Sequence, residues 1–170
     1  DWAKFRRTKG AVKLHLVLDH DGYLPCFAVL SDGKRHEVKV AHELHFAPGT
    51  MVVMDRGYND YRLFAKWTEE EVYFVTRMKE NALYKVIESR PVPQNRSVLK
   101  DQVIGLTGID AWEKCPYPLR RVEVYSAEKG EVLVFLTNHF GFGATTIAAI
   151  YKDRWQIELF FKAIKQNLKI

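Results

Sequence analysis

The period of the apolar positions changes several times along this chain, and each change marks an element. Val12, Leu14, Leu16 and Leu18 alternate with Lys13, His15 and Val17, the two-residue period of a strand with one face turned inward. Asp19-His20-Asp21-Gly22 supplies turn chemistry, and Leu24 to Leu30 reads as the return strand of a β-hairpin. Helical material follows around Glu37 to His45 and is ended by Pro48-Gly49. Met51, Val52, Val53 and Met54 form a short continuous apolar run, the pattern of a strand buried on both faces. Asn59 is placed to cap a helix carrying Leu63, Phe64 and Trp67, and Val72 to Thr76 predicts another strand. Between Asn81 and Asn138 helical periodicity is poor. Short β-rich runs there, such as Arg121 to Tyr125 and Glu131 to Thr137, alternate with turns containing Pro, Gly and charge.

The C-terminal segment returns to a helical period. Ile150, Ile157, Phe161, Ile164 and Leu168 fall on one stripe, spread over about 60° when each residue advances about 100°. Tyr151, Arg154, Glu158 and Lys165 form a second, polar stripe beside it, about 21 Å long at 1.5 Å per residue. A carboxylate among cationic and phenolic groups suits a metal-binding acid working beside phosphate, with Arg154, Lys165 and Tyr151 donating to phosphate oxygens. An ordinary i,i+4 ion pair on a surface helix would account for Arg154 and Glu158 alone. It leaves the longer string, Tyr-x2-Arg-x3-Glu-x6-Lys, without a reason.

Asp55 is the second candidate. An acid placed where a buried strand ends points into a cleft, and Gly57 allows a sharp exit. Starting a turn or capping the next helix is the competing use of Asp here. Asp55 and Glu158 are far apart in sequence, so only folding would bring them together.

These residues carry a resemblance. The segment YKDRWQIELFFKAIKQNLKI resembles the signature region of DDE transposases of bacterial insertion sequences, in the branch known by its Tyr-Arg-Glu-Lys motif. MVVMDRGYND is similar to that family's second catalytic aspartate, which puts the role on Asp55, and DWAKFRRTKGAVKLHLVLDHDGYLP is similar to the hairpin after the first catalytic strand. The resemblance implies an α/β fold, an RNase H-like mixed sheet flanked by helices, with a β-rich insertion before the last helix. The expected organisation is a core over residues 1–79, the insertion over 80–143 and the signature helix over 144–170. It also implies a two-metal site holding magnesium (Mg2+), with Mn2+ as substitute, in which Asp55 and Glu158 are catalytic metal ligands. Tyr151, Arg154 and Lys165 would then bind DNA. The activity implied is metal-dependent cleavage and strand transfer on double-stranded DNA, both transposon ends and target, with a dimer expected only of the full-length protein.

The family's first aspartate precedes the hairpin, and no residue here matches it. Asp1 lacks an apolar strand around it, and Asp19 and Asp21 read as turn residues. The first strand is therefore expected to be missing, the chain to be a fragment, and the isolated fragment to have little activity. A DNA-binding remnant without chemistry and an RNase H-like nuclease are the competing functions.

Composition narrows the picture further. With 170 residues, 47% hydrophobic and 28% charged, the chain is long enough for a substantial core and is not of disordered type. Its net charge of +5 favours a polyanionic partner. Lys4, Arg6, Arg7, Lys9 and Lys13, interleaved with Trp2 and Phe5, concentrate part of that charge. Two isolated cysteines, Cys26 and Cys115, exclude a disulfide framework or a cysteine zinc site. No apolar run approaches the roughly 20 residues of a membrane span, so the expected location is the bacterial cytoplasm, at the nucleoid when on DNA. HELH at His42–His45 departs from the HExxH spacing of a zinc-binding helix, so His36, His42 and His45 are expected to be solvated or structural. Trp67, Phe160 and Phe161 are expected to pack cores, Trp155, which flanks the polar stripe, to pack or else to support the site or contact DNA, and Gly141 and Gly143 to mark the entry to the last helix.

Overall fold

The computed structural model describes residues 4–5, 9–10, 12–22, 25–32, 37–94 and 97–168. Trp2, Arg6, Arg7, Leu24 and His36 lie outside the described residues, as do the side chains of Lys4, Lys9, Lys13, Lys165 and Leu168. The chain divides into two units, one of Asp1–Leu44 with Arg154–Ile170 and one of His45–Asp153.

In the first unit the expected hairpin pairs β3 (Val12–Leu18) antiparallel with β4 (Pro25–Asp32), and a separate short ladder of β1 (Lys4–Phe5) and β2 (Lys9–Gly10) precedes it in sequence. The Asp21 amide donates to Asp19 Oδ1 at 3.0 Å, and Gly22 takes φ +96°, the conformation for which a turn recruits glycine. Helix α1 (Glu37–Glu43) buries Val40 and Ala41. Helix α5 (Trp155–Leu168) belongs to the same unit.

The second unit is built on a six-stranded mixed sheet. Its strands are β5 (Met51–Met54), β6 (Tyr73–Arg77), β7 (Tyr84–Ser89), β8 (Val98–Leu106), β9 (Leu119–Ser126) and β10 (Glu131–Thr137), in the order β5-β6-β10-β9-β8-β7. Only β5 and β6 run parallel, because α2 (Tyr61–Glu69) carries the chain back between them. The β-rich stretch expected over 80–143 supplies β7 to β10, which join the sheet through the antiparallel pairing of β10 with β6. Edge strand β7 is exposed along most of its length and carries Lys85 and Glu88, charges that discourage pairing with another chain.

Helices cover both faces of this sheet, as the alternation along β6 requires. Phe74 stacks on Phe64 of α2 with ring centroids 4.5 Å apart, beside fully buried Trp67 and Leu63. Val75, the next residue, points the other way and joins Val122, Phe135, Ile147 and Tyr151 beneath α4 (Ala144–Asp153). Burial of each large side chain in these layers contributes roughly 1.5–3 kcal/mol. A one-turn helix, α3 (Ala111–Lys114), follows β8 and buries Ala111.

Buried polar groups tie the layers together. Arg120 on β9, 1% exposed, donates through Nε and Nη2 to both carboxylate oxygens of Asp101 on β8, at 2.8 and 2.7 Å. Its remaining nitrogen donates to the carbonyls of His139 (3.3 Å) and Phe142 (2.5 Å) in the loop leading to α4. Neighbouring Arg121 pairs with Glu123 and donates to Gln102 Oε1 at 3.0 Å. Burial by itself would raise the Glu123 carboxyl, but Arg121 and Lys100 together hold it below its ordinary value. Asn138 accepts from the Phe74 amide and donates to Val72 O and Thr68 Oγ1, binding the end of β10 to β6 and α2.

Two predictions follow from these groups. Asp101→Ala strands the Arg120 charge in the sheet and should cost about 3–5 kcal/mol, read from urea denaturation, whereas Arg120→Met with Asp101→Leu should recover most of the loss. A single-variant cost under about 1 kcal/mol would show the pair to be dispensable. The second concerns His139, whose ring stacks on Phe142 and whose Nδ1 accepts the Phe142 amide at 3.1 Å. Burial first, then the charge of Arg120, lower its pKa below 6.5. Its contribution is complete above about pH 6.5 and is lost as pH falls through the lower folded-state pKa, because the unfolded chain takes up the proton first. The denaturation midpoint should drop between pH 7 and pH 5, and His139→Gln should flatten that drop.

Candidate functional site

Asp55 directly follows β5, at the carboxyl end of the parallel pair, and its side chain is exposed. The backbone there is extended (φ −69°, ψ 156°), and Oδ1 accepts the Gly57 amide at 3.0 Å, so the carboxylate caps a single 3-10 turn over Arg56–Tyr58. The capping role and the strand-end position therefore coexist at this residue. The Tyr58 amide closes the turn on Asp55 O at 3.0 Å.

Asn59 fastens this turn to the sheet. Its amide nitrogen donates to Arg77 O at 2.8 Å, and its oxygen accepts the Thr76 hydroxyl at 2.8 Å. Lys79 Nζ donates to Asn59 O at 3.1 Å. The helix cap expected of Asn59 belongs instead to Asp60, whose Oδ1 accepts the Leu63 amide at 3.0 Å. With two cap-forming residues in succession, the inward turn of Asn59 toward β6 decides which one serves. These anchoring roles escaped the sequence reading, although Asn59 and Asp60 side by side signalled that one of them had a second task.

The C-terminal stripe lies on two helices rather than one. Helix α4 ends at Asp153, Arg154 is in a turn, and α5 runs over Trp155–Leu168, starting with an Ile157 amide to Arg154 O bond of 3.1 Å. Tyr151 belongs to α4 in the second unit, while Arg154, Glu158 and Lys165 belong to the first. The Tyr151 ring is 9% exposed and lies 5.0 Å from the Phe135 ring, within the packed layer. Arg154 Nη2 donates to Glu158 Oε1 at 2.5 Å, and the Glu158 side chain remains 40% exposed. Lys165 falls in α5, with its side chain outside the described residues.

Other candidates sort simply. Trp67 is in the core as expected, but Trp155 is 55% exposed rather than packed. Gly141 and Gly143 do precede α4. His42 lies in the last turn of α1 and His45 is exposed. Cys26 is exposed and Cys115 buried, and neither is in a disulfide. Among the described residues no group of three or more His, Cys, Asp or Glu side chains is arranged to hold a metal, and no helix is long and apolar enough to cross a membrane.

Residues 2–170 match the family model described as Transposase DDE domain. The chain is 34% identical over 173 aligned positions to a Sinorhizobium fredii protein named as transposase y4zB, covering 99% of this chain and 48% of that protein. It is 29% identical over 170 positions to a Geobacillus stearothermophilus protein named as the transposase for insertion sequence element IS5377, covering 99% and 44%. A Synechocystis protein named as the transposase for IS4SA is 28% identical over 156 positions, covering 86% and 41%. The chain thus spans less than half the length of these relatives.

The anchoring of the Asp55 turn is testable through Asn59. Asn59→Ala removes partners from buried Thr76 and from Arg77 O, and should cost about 1–3 kcal/mol while speeding hydrogen exchange at the Gly57 and Tyr58 amides. Asp60→Ala removes a helix cap worth about 1 kcal/mol and should leave those two amides slow. Equal acceleration in both variants would deny Asn59 its anchoring role.

Proposed function

The chain belongs to the DDE transposase family, and from that premise we propose that it is part of the catalytic core of an insertion-sequence transposase, serving metal-dependent DNA cleavage and strand transfer. The mixed sheet flanked by helices is consistent with the RNase H-like domain of that family. The observation that carries the reading is Asp55, an exposed carboxylate at the carboxyl end of the parallel β5–β6 pair, where open α/β sheets bind their ligands.

Asp55 and Glu158 are the proposed ligands of the cation. Their chemistry fits magnesium, or manganese in its place, because both offer hard carboxylate oxygens at accessible positions. Magnesium is commonly held by one or two carboxylates together with water and phosphate oxygens. In a two-metal site, one such cation would acidify an attacking water or 3′-hydroxyl and the other would stabilise the leaving oxygen.

The chain's own residues do the rest. Asn59 holds the Asp55 turn against β6, so the carboxylate is presented from a fixed support. Arg154 restrains the Glu158 carboxylate through its Nη2 donor, and its planar fork matches phosphate oxygens. Lys165 adds a point charge further along α5, and Tyr151 offers a phenol from a ring fixed against Phe135. The partner on this reading is double-stranded DNA, at transposon ends and target, with synapsis by a dimer of the longer protein.

Manganese binding to the 170-residue chain, followed by electron paramagnetic resonance, tests the assignment. Asp55→Asn and Glu158→Gln should each weaken it by about tenfold or more, with DNA binding in EDTA nearly unchanged. Binding that survives both substitutions would remove these residues from the metal site. No residue of this sequence matches the family's first aspartate, so this chain alone should show little strand transfer. Robust nicking lost in Glu158→Gln would overturn that expectation.

A further inference from the structure

A cleft of about 510 Å³ opens in the second unit beside the turn that carries Asp55. One wall is Asn59, the residue that fastens that turn, and the floor is formed by core side chains including Phe64, Leu106 and Leu136. Three cations line it, Arg62, Lys79 and Lys114, against one carboxylate, Asp60. That carboxylate is engaged by the Leu63 amide. Lys79 Nζ is held against the wall by Asn59 O at 3.1 Å, which orients the ammonium and commits one of its three N–H donors. Lys114 faces Asp110 at 3.8 Å in an exposed pair, an interaction that solvent screens and a phosphate would outcompete. None of these cations forms part of the string that includes Arg154 and Lys165.

We propose that this cleft binds a phosphodiester of a DNA strand, with Arg62, Lys79 and Lys114 contacting its phosphate oxygens. The proposal rests on the DNA-processing reading above and adds a contact that holds the strand near Asp55. Asp55 and Asn59 flank the same single 3-10 turn, Arg56–Tyr58, so the carboxylate and the cleft wall are joined by one short, fastened segment. A phosphate in the cleft would thereby set which phosphodiester of the same strand lies at the Asp55 carboxylate. Free nucleotides offer the same phosphate chemistry, so the test separates the two sources.

The experiment uses the 170-residue chain and a fluorescein-labelled 30-base-pair duplex, with affinity measured by anisotropy from 50 to 250 mM KCl in EDTA. Arg62→Gln and Lys114→Gln together should weaken binding about tenfold at 100 mM salt and reduce the slope of log affinity against log salt by about 2, since each lost phosphate contact removes about 0.9. Lys129→Gln, in the β9–β10 turn outside the cleft, should change neither. Circular dichroism melting confirms that the cleft variant is folded, and Lys79→Gln provides an independent substitution of the same wall. Unchanged affinity and slope in both cleft variants, with tight binding by the unsubstituted chain, would overturn this proposal and leave the transposase reading standing. An unsubstituted chain that binds no DNA would overturn both. If a fluorescent ATP analogue saturates the chain, is lost in the cleft variants and fails to compete with duplex, the cleft is a nucleotide site and the DNA proposal is overturned.

Discussion

Arg120 is the constraint on which the second unit turns. A guanidinium enclosed in a sheet costs several kcal/mol of lost hydration per ion, and only full hydrogen bonding offsets it. The offset comes from two elements at once: Asp101 on β8 takes two of its bonds, and the carbonyls of His139 and Phe142 in the loop to α4 take the others. Because Val103 lies opposite Arg120 and Val122 opposite Asp101, the charged pair is diagonal across the ladder. A slip of one residue would move one partner to the opposite face and leave the other buried without a counter-charge. The pair thus fixes the register of β8 on β9 and the path by which the chain leaves β10 for α4. Its value lies in excluding alternatives more than in adding stability, since apolar side chains of similar volume would pack there at comparable cost.

Asn59 repeats the device on a smaller scale. A turn of three residues after a four-residue strand has little apolar surface to hold it. The side chain compensates by entering the β5–β6 side of the sheet and bonding Thr76 and Arg77 O. Asp55 therefore sits on a turn whose far end is fastened, and Asp60 is left to cap α2. The exposed carboxylate gains position from groups that are themselves buried. This division between an accessible functional atom and a satisfied polar support is what a ligand site on a rigid element requires.

Much of the fold was legible because strand and helix periods differ. The apolar run Met51 to Met54 is β5, Glu131 to Thr137 is β10, and the alternation from Val12 is one arm of the hairpin. Strand order was not legible, because nothing local in Glu131–Thr137 says that it pairs with β6 on one side and β9 on the other. Nor was the burial of Arg120, since an arginine within an alternating strand reads as a solvent position. The polar stripe assumed a single helix, and the turn at Arg154 breaks no sequence rule that would have announced it. Ala144, Ile147 and Tyr151 stand at helical spacing, and it is this apolar stripe, not the polar one, that holds the Tyr151 ring in the core. Of the candidate site, the strand-end position of Asp55 and the pairing of Arg154 with Glu158 were readable. The Asn59 support was not, because its partners lie on another strand.

The same buried pairs refine what the net charge means for a polyanionic partner. Arg120 with Asp101 and Arg121 with Glu123 withdraw one base and one acid apiece, so the remaining groups still carry an excess of +5. The sheet interior therefore consumes charge without spending the excess. Exposed pairs such as Lys152 with Glu128 and Lys114 with Asp110 are separated by 3.3 and 3.8 Å and are screened by salt. Such lysines are available to phosphate at little cost, whereas Arg120 could leave its carboxylate only by opening the sheet. On the proposed reading, phosphate contacts fall to accessible cations, and the buried Arg120 and Arg121 add nothing to the salt dependence of DNA binding.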